Sequence, residues 1–134
     1  MTALHPDTTT ALAALIDHTA GWLDKAGLTT EAAALRALPA LTTVADIEAA
    51  APTVQPLMQT AYQRAGVITW PQADAGIAAV HTAGGLGLSQ QATSPYPDMH
   101  MDPVYRAVDQ FAGWLWTIAC YAAHATLSTE GQRR

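Results

Sequence analysis

The sequence predicts an all-α protein: one helical domain over residues 1–134, an irregular bundle of about five to six helices with a long C-terminal helix at its centre. Three observations carry this. Apolar residues recur at helical spacing in several windows, and no run alternates with period two between turn signals. Ala, the residue with the strongest intrinsic helix propensity, dominates together with Thr and Leu. Half the residues are apolar and only 13% are charged, so a large share of the chain must be buried.

The first helix is expected from Thr8 to Ala26, with Leu12, Leu15, Ile16, Thr19, Trp22, Leu23 and Ala26 on one stripe. Gly27 follows as a left-handed stop, and Leu28 folds back on Leu23. A short helix, Glu31 to Leu38, is capped by Thr30 and stopped by Pro39. A third, Val44 to Ala51, opens with Thr43 and Asp46 at capping-box spacing and ends at Pro52. Thr53 caps a fourth, which runs to Ala65 and stops at Gly66. A fifth begins at Thr69-Trp70-Pro71 and presents Trp70, Ala73, Ile77, Val80 and His81 before Gly84-Gly85 breaks it. Residues 84–102 then read as a long loop, rich in Gly, Ser, Gln and Pro, of the kind that serves as a lid. Asp102 caps the sixth helix, Pro103 takes its first position, and the helix continues to about Leu127.

That last helix differs from the others. Nothing between Asp109 and His124 is charged, so its whole circumference must be covered. Either the other helices surround it as a central rod, or one face meets a second copy. In the latter case Phe111, Trp114, Trp116 and Tyr121 are the expected interface residues, since interfaces favour amphipathic aromatics.

Several function classes are disfavoured. Net charge is −5, with six Lys and Arg scattered along the chain, so nucleic-acid binding and anionic membrane surfaces are not expected. The run from Thr43 to Ala51 and then Thr53 to Ala65 resembles a helix-turn-helix. Its second helix, however, carries Arg64 as its single basic residue, too little to dock on phosphates. The longest apolar stretch, Phe111 to Ala123, is short of the roughly 20 residues that span a bilayer. The first residues lack the basic and apolar regions of a signal peptide. Cys120 is the only cysteine, so no internal disulfide forms and a cytoplasmic location is expected.

The densest chemical pattern is Asp98-Met99-His100-Met101-Asp102. In extended backbone Asp98, His100 and Asp102 share a face, a set suited to a divalent metal or to acid–base work, and Met99 and Met101 offer soft ligands on the other. The plain alternative is that Asp102 caps the helix and Asp98 makes a turn. His81 joins the catalytic candidates, with Asp74 two turns before it. Gly84-Gly85-Leu86-Gly87 follows a helix, so it reads as a terminator rather than a phosphate loop. Cys120 sits among apolar neighbours and is expected to be inert. No cofactor is implied. The leading expectation is a non-catalytic helical interaction or accessory protein, homodimeric through its last helix. The second is a small-molecule-binding protein or enzyme with a pocket under the 84–102 loop.

Overall fold

The computed structural model describes residues 2–66, 69–96 and 102–132, the last five as backbone alone. Six helices make up the bundle: α1 (Pro6–Lys25), α2 (Thr29–Arg36), α3 (Val44–Ala65), α4 (Trp70–Thr82), α5 (Gly85–Thr93) and α6 (Pro103–Gln132). No strand is found among the described residues beyond one antiparallel bridge, Ala3 with Thr43, which ties the N-terminus to the entry of α3. No described helix is long and apolar enough to cross a membrane.

α6 is the central rod. It packs against α1, α3, α4 and α5, and Val108, Phe111, Ala112, Leu115, Ile118, Ala119, Ala122 and Ala123 are fully buried. Its N-terminus forms as read: the Val104 amide donates to Asp102 Oδ1 at 2.9 Å, and Pro103 takes the first position, where no amide is needed. The helix runs past Leu127 to Gln132.

α1 also ends as its sequence predicts. Gly27 adopts φ 82°, its amide donates to Asp24 O at 3.0 Å, and that of Leu28 donates to Leu23 O at 2.8 Å, the paired bonds of a Schellman ending. The chain then enters α2 at once, so Thr29 and Thr30 lie inside it and Thr30 caps nothing.

The expected third and fourth helices are one. Thr43 and Asp46 do form a capping box, but α3 then runs unbroken through Pro52 and Pro56. Each proline removes one backbone bond and costs roughly 3 kcal/mol in a helix interior. Both are exposed and lie four residues apart, so the carbonyls they deprive are near water. The other side buries Ile47, Ala50, Val54, Leu57, Ala61 and Ala65, mostly against α6. At about 1.5–3 kcal/mol per large aliphatic side chain, that burial offsets the prolines. With no turn between two helices, the helix-turn-helix resemblance falls away.

The expected 84–102 loop is also corrected. Gly84, at φ 99°, stops α4, but Gly85 opens the nine-residue α5. Ala92 is buried and accepts from Thr8 Oγ1 at 2.7 Å. Tertiary packing against α1 and α6 thus overrides the weak helix propensity of Gly-Leu-Gly-Leu-Ser. Of this glycine run, Gly84 precedes α5 and Gly85 and Gly87 lie within it.

Candidate functional site

The Asp98 and His100 of the expected metal or acid–base cluster, with Met99 and Met101, lie outside the described residues. Asp102 is engaged as the α6 cap. His81 is exposed in the last turn of α4, and His124 is buried on α6 behind Gly76. Among the described residues no group of three or more His, Cys, Asp or Glu is placed to hold a metal ion.

His18 is the histidine in the most specific surroundings. Its Nε2 accepts from Trp22 Nε1 at 3.2 Å, which leaves its own proton on Nδ1. Burial, and next the Lys25 ammonium, lower its pKa, while Asp17 opposes the shift. Lys25 stands 4.6 Å above the Trp22 ring. With Gly21 and Ala83 these residues line a shallow cleft of about 230 Å³. The neutral imidazole is locked by its indole partner and, among the described residues, has no carboxylate or nucleophile bonded to it, so it acts as packing.

A larger groove, about 360 Å³, lies between α1, α2 and the segment that follows α2. Ile16, Leu35, Leu38 and Leu41 give it an apolar floor. Arg36 stands at its edge, bonded to Asp24 at 2.7 Å and 3.6 Å from Asp17. Those two carboxylates raise the guanidinium pKa and neutralise its charge. The space under 85–93 is a shallow hollow of about 340 Å³ bordered by Asp7, Thr10, Leu88 and Gln91, and no histidine among the described residues lines it.

The aromatic residues expected at an interface are only partly available. Phe111 is fully buried and meets Trp114 edge-on at 6.2 Å, so it belongs to the subunit core. Trp114 is half-buried against the same core, and Trp116 packs on Val80, Ala119 and Ala123. Tyr121 is half-buried and meets Tyr62 of α3 edge-on at 5.4 Å.

The apolar surface that does reach solvent lies elsewhere. Trp70 is 85% exposed, Tyr62 50% and Ile77 45%, with Leu127 next. Of the expected α4 stripe Trp70, Ala73, Ile77, Val80 and His81, Val80 is buried and Ala73 half-buried, while Trp70, Ile77 and His81 are exposed. Gly76 joins Val80 on the inward side. A Cβ on Gly76 would stand 3.1 Å from the Cys120 carbonyl and 3.3 Å from the backbone of His124, so the two helices touch almost backbone to backbone. Such an approach needs small residues between them, and the large ones are turned out. Trp70, Asp74, Ile77 and His81 then share one exposed side, spaced four, three and four apart, the repeat by which one helix seats against another. The sequence signal was present in that spacing, but it reads equally as a core stripe. No family model, curated protein or solved structure matches this chain.

Proposed function

We propose that this chain is a non-catalytic helical association module that works as a homodimer, the copies meeting through the exposed side of α4. The observation that carries the reading is Trp70, 85% in water at the head of a helix that also exposes Ile77. Isolated exposed apolar residues are ordinary; an aromatic in line with an aliphatic along one helix side marks a contact surface. With about 200 Å² for the exposed part of a Trp, and a fraction of that for Ile77, two copies would cover roughly 500–600 Å² of apolar surface. At about 25 cal/mol per Å² this amounts to around 14 kcal/mol of gross burial. Association costs roughly 4–15 kcal/mol, which places the dimer in the weak to moderate range. With Cys120 as its only cysteine the chain forms no internal disulfide, which suits a reducing compartment such as the cytoplasm.

Sedimentation velocity between 1 and 100 µM (about the span a weak dimer needs) tests the reading. The wild type should shift from monomer to dimer, and Trp70→Glu should stay monomeric with unchanged circular dichroism. An acidic residue at a helix N-terminus is favourable, so the variant folds. A wild type that sediments as monomer throughout refutes the proposal. A dimer lost in Trp114→Glu but kept in Trp70→Glu would move the contact to α6.

The apolar groove between α1 and α2 favours a second reading, a binding protein for a small apolar molecule. In that case an aliphatic ligand would raise the melting temperature of the wild type and not of Leu38→Glu, whose half-buried side chain lines the groove.

A further inference from the structure

We infer that the two copies pair α4 against α4 in antiparallel fashion, about a two-fold axis beside Ile77, with Asp74 of each copy facing His81 of the other. This rests on the homodimer reading and adds its geometry. The exposed side of α4 carries two groups able to pair, Asp74 and His81, seven residues or two turns apart. They bracket Ile77. A two-fold axis relates each residue to its mirror position along the other helix, so a centre between Ile77 and Ala78 sets Asp74 opposite the second copy's His81, and does so twice.

Other registers fail on charge. Sliding the axis one turn toward the N-terminus sets Asp74 against Asp74, two like charges at the middle of an otherwise apolar contact. Sliding it one turn toward the C-terminus sets His81 against His81 and leaves both carboxylates without a partner. In the central register an imidazole N–H donates to each carboxylate, so the pair forms whether or not the ring is charged. The two Ile77 side chains meet across the axis, where Ala78 is too small to hold them apart.

The same register accounts for Trp70. Counting outward from the axis, it falls over the Gly84-Gly85 turn of the second copy. At Gly84 a Cβ would meet nothing within 4 Å, so the exposed half of that turn is open, while Gly85 beside it is packed inward on Val80. A ring as large as indole needs such a gap to lie flat. The bulkiest exposed side chain is thus carried to the end of α4 where the exposed side chains, Thr82 and Ala83, are small and Gly84 has none. The arrangement is self-complementary along the whole helix: indole on glycine, carboxylate on imidazole, isoleucine on isoleucine.

A charge swap tests this. The variants are His81→Asp, Asp74→His and the double variant Asp74→His with His81→Asp, each compared with wild type by sedimentation velocity and circular dichroism. Both positions are exposed, so all three should keep the wild-type helical spectrum. Because symmetry counts every mismatch twice, each single variant should weaken the dimer at least about tenfold. The double variant restores opposite charges across the axis and should return to within about threefold of wild type (roughly 0.7 kcal/mol). A dimer that forms in wild type but is unaffected by either single variant overturns this geometry and leaves the homodimer standing. Weak singles with an equally weak double variant overturn the register. A wild type monomeric at every concentration removes the homodimer itself, and this inference with it.

Discussion

Gly85 offers a direct measure of how tightly the α4–α5 turn is built, because two effects of opposite sign meet there. Replacing a helical glycine with alanine ordinarily stabilises by up to about 1 kcal/mol, since glycine has more backbone entropy to lose. At Gly85, however, a Cβ would lie 2.6 Å from Val80 Cγ1, 2.8 Å from His18 Nε2 and 3.1 Å from the Val80 carbonyl. Val80 is fully buried and cannot swing aside, and the His18 ring is held by Trp22. Overpacking of this kind costs about 1–3 kcal/mol and outweighs the propensity gain. Less the propensity gain, the net loss is about 1–2 kcal/mol; unfolding entropy for a chain of this length is about 0.28 kcal/mol per kelvin, so Gly85→Ala should lower the melting temperature by roughly 4–7 °C. Two internal controls share the chemistry without the crowding. Gly87 in α5 and Gly113 in α6 would each place a Cβ in open space, and neither has positive φ. Gly87→Ala and Gly113→Ala should therefore raise the melting temperature, by up to about 3 °C. Thermal unfolding followed by circular dichroism, all four proteins at one concentration, decides the matter. A Gly85→Ala variant as stable as wild type would show that the turn does not press on Val80 and His18, and the packing argument would fail.

Pro52→Ala should restore the missing α3 bond to Glu48 and raise the melting temperature by several degrees; a clear loss would show that the proline ring contributes packing not visible from its exposed position. Cys120, its thiol pKa pushed up to about 12, should react with a disulfide reagent at pH 8 far more slowly in the native protein than in urea, and equal rates would contradict its burial. His18, with its folded pKa lowered by burial and then by Lys25, binds fewer protons when native than when unfolded. Its contribution to stability is present above the ordinary imidazole value, about 6.5, and is lost as pH falls through the lower folded value. Urea titrations from pH 7.5 to 5 (about the span of that transition) should show this decline in wild type and a flatter profile in His18→Gln. Parallel profiles would rule the group out.

Features set by local chemistry were legible in the sequence. The Schellman ending at Gly27, the box of Thr43 and Asp46, and the Asp102-Pro103 entry to α6 each depend on residues within one turn, and each forms as read. The errors arose where distant packing decides. Pro52 is a reliable stop in isolation, yet α3 continues because Ile47 before it and Val54 after it are buried on the same side. Gly85-Leu86-Gly87-Leu88-Ser89 has little helical tendency, yet α5 forms because α1 and α6 offer it a surface. Neither outcome is visible within a short window.

The orientation of α4 was hard to read for a related reason. A periodic stripe says which residues share a side, not which way that side turns. Reading Trp70 and Ile77 inward assumes that the largest apolar residues claim the core. That holds where helices are spaced by side chains, as around Phe111 and Leu115 in the middle of α6. It reverses where a glycine lets two backbones touch, because the contact then selects for the absence of side chains. Gly76 against the Cys120 carbonyl is such a contact, with Ala119 and Ala123 beside it against Val80. The small residues therefore hold α4 to the rod, and the large ones, Trp70 and Ile77, face solvent. The uncharged circumference of α6, which suggested an interface on that helix, is largely covered within the chain, with Trp114, Trp116 and Tyr121 half-buried, and in the proposed dimer the contact lies on the helix that covers it.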